Sequence, residues 1–248
     1  MRRFITYHVY FLLIYPLPFN TIVSTVAMTE TSLHKSIKSR YSPEKESQEI
    51  FISGFYVDAI ESGTLIEIQT QHFYQIRTKL TALVDYYPIR LVLPIPREKW
   101  IVYLDQNSEE RISRRKSPRR GRWEDIFYEL VHIPNLLTHP NFVLEALLIQ
   151  QEDVYRRDGK GSWRRKGNSI VDRRLVSVLE SRIFSTPEDF TSFLPADLPD
   201  QFTNRDIARL QSVPRNLASK MSYSLRNLNL IQPTGKSGRS ILYQRSKN

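Results

Sequence analysis

Residues 89–95, Ile-Arg-Leu-Val-Leu-Pro-Ile, form a nearly continuous apolar run of strand length. A strand with one wet face alternates apolar and polar side chains, whereas a strand covered on both faces does not. The run therefore demands a sheet with cover on each side, and the flanking sequence offers it. Upstream, Leu33, Ile37 and Tyr41 recur at intervals of four, one face of a helix over 29–41 with Thr29 or Thr31 as N-cap. Residues 50–60 and 64–70 read as strands, Phe73, Ile76, Leu80 and Leu83 as a helix ending at Tyr87-Pro88, and 100–104 as one more strand. The order helix, strand, strand, helix, strand, strand predicts a small α/β unit with a mixed sheet over residues 28–108.

Beyond it, residues 109–184 read as a basic helical middle region. Arg111, Arg114, Arg115, Lys116, Arg119, Arg120 and Arg122 surround a Ser117-Pro118 turn, and a second basic segment runs from Arg156 to Lys166. With Trp123 and Trp163 nearby, these segments could track a phosphate backbone, or serve as solvated loops. Residues 123–140 predict a helix broken near Pro134, with 142–155 and 169–184 as two more. The tail, 185–248, predicts a short helix at 186–190, a helix from Thr203 or Asn204, and a second opened by Pro214. Two strands around the Gly235-Lys236-Ser237-Gly238 turn complete it. Helix, turn, helix and hairpin together resemble a winged helix-turn-helix.

Thirty-six Lys and Arg against 26 Asp and Glu give a net charge of +10, which implies a polyanionic partner or surface and says nothing about fold. With no cysteine, disulfides, thiolate zinc sites and cysteine nucleophiles are excluded. Residues 1–27 differ from the rest: Met1-Arg2-Arg3 precedes an apolar, aromatic stretch interrupted by His8, Pro16 and Pro18, too short for a spanning helix. They read as a dispensable leader ahead of a start at Met28, with a secretion signal or membrane anchor as the alternatives. A cytoplasmic protein is expected, with no membrane role.

Residues 56–69 hold the chemistry. Two short apolar runs joined by Glu61-Ser62-Gly63-Thr64 carry Asp58 and Glu67, and Gln69 lies two residues after Glu67. Alternate strand residues share a face, so Glu67 and Gln69 project together, and pairing of the runs brings Asp58 near them. Two converging carboxylates beside an amide could hold a hard divalent cation such as Mg²⁺. The bland alternative is a half-exposed hairpin with solvated acids. His132 and His139 lack a metal-ligand spacing and read as packing or surface residues, and no Gly-x-Ser-x-Gly elbow or Gly-rich phosphate loop is present.

Asp58, Glu67 and Gln69, set in this element order, resemble the active-site signature of the PD-(D/E)xK superfamily, the restriction-endonuclease-like fold, in a variant with Gln for the usual Lys. The resemblance covers about residues 29–105, and similar sequences form an uncharacterised bacterial family, so it implies no particular substrate. It implies Mg²⁺-dependent phosphodiester hydrolysis. Asp58 and Glu67 would be metal ligands with the Ile68 carbonyl, Gln69 would position the attacking water, and Glu30 would be a further acid from the first helix.

The tail supplies the second constellation. Residues 202–248 carry nine Lys and Arg against one acid, Asp206. A recognition helix beginning at Pro214 would direct Arg215, Asn216, Ser219, Lys220 and Tyr223 into a DNA groove, with Lys236 and Arg239 on a wing. A winged helix used for protein contacts is the alternative. The expectation is a DNA-acting protein, nuclease-like, with no small-molecule cofactor and a homodimer left open. A non-enzymatic DNA-binding regulator with a degenerate nuclease-like domain is the runner-up.

Overall fold

A computed structural model describes residues 30–246, so the expected leader lies outside the described residues. Helix α1 (Ser32–Tyr41) is capped by the Thr31 hydroxyl, which accepts from the His34 amide. Strands β1 (Gln48–Ile52), β2 (Phe55–Glu61) and β3 (Thr64–Ile68) follow as an antiparallel meander. Residues 50–60 are thus two strands, separated where Ser53 and Gly54 turn the chain with φ of 48° and 88°. Ser62 and Gly63, with φ of 48° and 82°, supply the two left-handed residues a tight hairpin between β2 and β3 needs.

Helix α2 (Phe73–Val84) then returns the chain so that β4 (Ile89–Leu104) pairs parallel to β3. The apolar run 89–95 and the expected strand 100–104 are one strand, broken only by a register shift between Pro96 and Glu98. Along the distal end of β4 lies β5 (Arg111–Lys116), so half of the expected basic loop is strand. Along β4's other edge run β6 (Phe142–Arg156), parallel, and then β7 (Ser169–Phe184), antiparallel to β6. The result is an α/β protein with a seven-stranded mixed sheet, ordered β1-β2-β3-β4-β6-β7, and the sheet continues to Phe184.

The middle region is therefore not helical: 142–155 and 169–184 are strands, and both misread for identifiable reasons. β6 is buried on both faces for most of its length, so it shows the unbroken apolar run that a buried helix also shows. In β7, Val171, Leu175, Val178 and Leu179 imitate helical spacing because three register shifts against β6 break the strict alternation of a regular strand. Residues 123–140 do form helical turns, but short ones: a 3₁₀ turn at Trp123–Ile126, helix α3 (Phe127–Leu130) and a further 3₁₀ turn at Pro134–Leu136.

β4 shows why its sequence is apolar throughout. Leu91, Leu93 and Ile95 belong to the larger core with residues of α2 and α3, while Val92 packs with Leu33 and Ile37 of α1 on the opposite face. The larger core continues into the tail: Phe190, Phe193, Phe202, Ile207, Leu217, Met221 and Tyr243 join it without a break. There α4 (Asn204–Leu210), α5 (Arg215–Asn227) and the hairpin of β8 (Ile231–Ser237) and β9 (Ser240–Arg245) follow in the expected order. Thr203 is the cap of α4, its hydroxyl accepting from the Arg205 amide. Arg122 ties the tail to the sheet, donating from both terminal nitrogens to the Ser212 and Gln211 carbonyls at 2.7 Å each. Among the described residues no helix is long and apolar enough to cross a membrane.

Candidate functional site

The β2–β3 ladder ends at the pair Ala59 and Ile66, and the next residues outward are Asp58 and Glu67. Beyond this point β3 turns to β4, the Gln69 amide donating to the Val92 carbonyl at 2.9 Å. Asp58 bridges the split: its Oδ2 accepts from the Ile68 amide at 2.7 Å, a side-chain oxygen where a strand carbonyl would otherwise be. The structure thus brings Asp58 and Glu67 together at the mouth of a strand divergence.

Glu67 is buried, 5% exposed. Its Oε1 accepts from Lys79 Nζ, on α2, at 2.5 Å, and Lys79 also donates to the Tyr56 carbonyl at 3.0 Å. Glu67 Oε2 is buried and has no partner among the described residues. Burial above all, and the negative charge of Asp58 beside it, raise the Glu67 pKa to about 7 against the pull of Lys79.

On the other side of Asp58 stands His34 of α1. Its Nε2 lies 3.2 Å from both Asp58 Oδ2 and the Ile68 carbonyl oxygen, and its Nδ1 lies 2.6 Å from Glu30 Oε1. Burial disfavours the charged ring, but Asp58 and then Glu30 outweigh it and raise its pKa to about 9. Burial alone would raise the Asp58 pKa too, and the His34 ring, the Ile68 amide and Lys79 together hold it below its ordinary value. Glu30 in turn accepts from the nearly inaccessible Lys38 at 2.7 Å, and Lys38 reaches Glu49 at 2.9 Å. Charges of alternating sign therefore run Glu49, Lys38, Glu30, His34, Asp58.

Of the residues expected here, Asp58, Glu67 and Glu30 enter this network and Gln69 does not. Its amide donates to the Gln71 carbonyl at 2.6 Å, and none of its hydrogen bonds reaches either carboxylate. The group beside Glu67 is the ammonium of Lys79. Sequence spacing around a single strand could not show this, because Lys79 is twelve residues on and reaches Glu67 from a helix. His34 carried a local signal, its i, i+4 relation to Glu30 on α1. Among the described residues, no group of three or more His, Asp or Glu side chains is arranged to hold a metal ion. Among the described residues Asp58 Oδ1 accepts no hydrogen bond, Glu67 Oε2 is buried without a partner, and the Ile68 carbonyl faces His34 Nε2.

In the tail, Arg215, Asn216, Ser219 and Tyr223 lie exposed on α5 and Lys220 is half-buried, while Leu217, Ala218, Met221 and Leu225 face the core. Lys236 and Arg239 are exposed at the β8–β9 turn. Ser219 accepts from the Asn204 amide at 3.1 Å, and Arg226 stacks 5.7 Å from the Tyr223 ring. His132 packs edge-on against Tyr74, and His139 faces Asp85 at 3.2 Å, so neither joins Asp58 and Glu67.

Fold and site define a mixed α/β protein with two carboxylates and a helix-borne lysine at a strand divergence, joined through one core to a basic helical tail. Residues 31–185, more than half of the chain, match the family described as a domain of unknown function (DUF8091). A Treponema pallidum (strain Nichols) protein, itself described as uncharacterized, is 31% identical over 220 residues, covering 87% of this chain and 85% of the relative. The chain belongs to this family. No solved structure matches it.

Proposed function

We propose that the chain is a metal-dependent phosphodiesterase acting on nucleic acid, with Asp58, Glu67 and Lys79 at its centre. The observation that supports this most is Lys79 on Glu67, which supplies the ammonium that Gln69 lacks. The helix, three-strand meander, helix and parallel strand of residues 32–104 agree with the restriction-endonuclease-like order.

The donor set fits a Mg²⁺ ion, which keeps several waters and takes one or two carboxylates, with substrate phosphate completing its shell. Asp58, Glu67 and the Ile68 carbonyl would hold it, and the orphaned Glu67 Oε2 and the mutual repulsion of the two carboxylates are what such a charge relieves. When bound, the cation would lower the pKa of a water and offset charge developing on the phosphorus. Lys79 holds Glu67 in place and has one N–H donor left over from Glu67 and the Tyr56 carbonyl for that water or for a non-bridging phosphate oxygen. Asp58 is kept ionised by His34 and the Ile68 amide, ready to accept a cation. Its second-tier support runs through Glu30 and Lys38, so Glu30 acts as a positioning residue.

The tail would carry DNA. Its order and exposed basic residues fit a winged helix-turn-helix, α5 presenting Arg215, Asn216, Ser219, Lys220 and Tyr223 to a groove and the β8–β9 turn presenting Lys236 and Arg239. On this reading the protein would work in the cytoplasm, where it would meet nucleic acid. The test pairs the full chain with its Glu67→Ala variant on plasmid and on RNA, with Mg²⁺ or Mn²⁺. Cleavage by the first and not the second, with equal binding, supports the proposal. Binding without cleavage by either favours the regulator, a reading the buried Glu67–Lys79 pair also allows because it offsets the Glu67 charge without a metal.

A further inference from the structure

Two basic runs that are separate in sequence meet in the fold. Residues 99–122 carry eight Lys and Arg against three acids, and residues 152–174 carry eight against four. The first contains the distal half of β4 and all of β5, the second the distal half of β6 and the start of β7. Register places them side by side: Ile101 lies opposite Arg115 on one neighbour and Asp153 on the other, and Tyr103 lies opposite Tyr155. They form one sheet arm with a small core of its own, Val102, Leu104 and Val154. Its positive charge exceeds its negative by nine, against eight for residues 202–248, although nothing in the linear order joins the two runs.

Much of the arm's charge is neutralised internally. Arg114 bonds Glu152 at 2.7 Å, Lys116 bonds Glu98 at 2.6 Å, and Lys99 bonds Asp153 at 2.9 Å. Arg111, Arg115, Arg157, Arg164, Arg165 and Lys166 make no ion pair among the described residues, and all six are exposed. At the arm's end lies a hollow of about 430 Å³, lined by Tyr103, Arg157, Lys166, Asn168 and the backbone of Gly159 and Gly167, with no carboxylate in its wall. Arg157 stacks 5.6 Å over the Tyr103 ring, whose other neighbour is Tyr155, with ring centres 5.5 Å apart. Trp163, in the loop that closes the hollow, is 83% exposed. Trp123, by contrast, is half-buried and covered by Arg182 at 4.6 Å.

We infer that this arm is a second nucleic-acid surface and that it binds a single strand, DNA or RNA, with a base on Tyr103 and its phosphate between Arg157 and Lys166. Unpaired cations alone would accept any polyanion. Aromatic faces set among them suit bases that are not already stacked in a duplex, and the hollow is concave where a duplex would need a broad face. The inference rests on the reading that the partner is nucleic acid, but its surface contains neither Asp58 nor the β8–β9 turn.

The test is fluorescence anisotropy of the full chain without divalent metal. Probes are single-stranded DNA, single-stranded RNA and a duplex of equal length, at several salt concentrations. Arg157→Ala with Lys166→Ala should weaken single-strand binding at least tenfold and reduce the slope of log affinity on log salt by about 1.4, the release expected from two phosphate contacts. Tyr103→Leu should weaken it about tenfold with little change in slope, the signature of lost stacking. Duplex binding should respond to Lys236→Ala with Arg239→Ala and not to the arm variants, and the DNA and RNA arms identify the strand. Single-strand affinity within twofold of wild type in the double arm variant, or equal losses on duplex and single strand, would overturn the inference. Failure of the nuclease reading leaves a different trace: no cleavage, with binding by the arm intact.

Discussion

Glu67 is held by Lys79 on one carboxylate oxygen while the other is buried without a partner among the described residues, so its protonation and that of His34 couple stability to pH. The His34 ring titrates near 6.5 when free and at about 9 in the fold. Its stabilising contribution is therefore complete below 6.5 and lost as pH rises through 9. Glu67 moves from 4.5 to about 7, so its contribution is complete below 4.5 and lost as pH rises through 7. Asp58, lowered from 3.8, contributes above that value and loses its share as pH falls. The midpoint of thermal unfolding should therefore fall steadily from pH 5 to pH 9, and His34→Asn should flatten the upper part of that fall. A variant with the same slope between pH 7 and 9 would remove His34 from the account. Asp58 and Glu67 were legible as residues because they flank a tight turn at strand spacing. Lys79 was not, since a strand pattern predicts neighbours two residues apart and cannot report a side chain arriving from a crossing helix.

At the scale of elements, the loop 117–122 lies close against β4. Gly121 donates to the Pro96 carbonyl at 2.8 Å, and a Cβ there would lie 2.7 Å from both Ile95 Cγ2 and that carbonyl oxygen. The contact is with backbone, which cannot swing away, so Gly121→Ala should cost about 1–3 kcal/mol, measured by denaturant unfolding. A change below the error of that measurement would mean the loop 117–122 is free to lift from β4. Thr203→Ala should cost about 1 kcal/mol through loss of the α4 cap. The first helix, the β2–β3 hairpin, α2 and the tail elements were readable because each has a single exposed face or an explicit cap and turn residue. β6 and β7 were not: one is buried on both faces, the other is bulged, and either condition erases the period-two signal.

For the whole molecule, the continuous core is decisive. The family match ends at residue 185, yet Phe190 and Phe193 pack on Phe127 and Phe184, with ring centres 4.7–6.4 Å apart. A protein ending at 185 would expose that aromatic cluster. We expect it to be insoluble or to unfold well below the full chain, which should itself melt in one cooperative transition. Two separated transitions in calorimetry, one of them matching the truncated protein, would show the tail to be independent. The central claim, that Lys79 supplies the amine of a nuclease-like site where Gln69 does not, has a direct measurement. Mg²⁺-dependent cleavage of nucleic acid is followed in wild type, Gln69→Ala, Lys79→Met, and Lys79→Met combined with Gln69→Lys. The account predicts cleavage by wild type and Gln69→Ala, loss of at least a hundredfold in Lys79→Met, and partial recovery when a lysine is placed at position 69. Cleavage by Lys79→Met at the wild-type rate, or none by folded wild type that still binds nucleic acid, would contradict it.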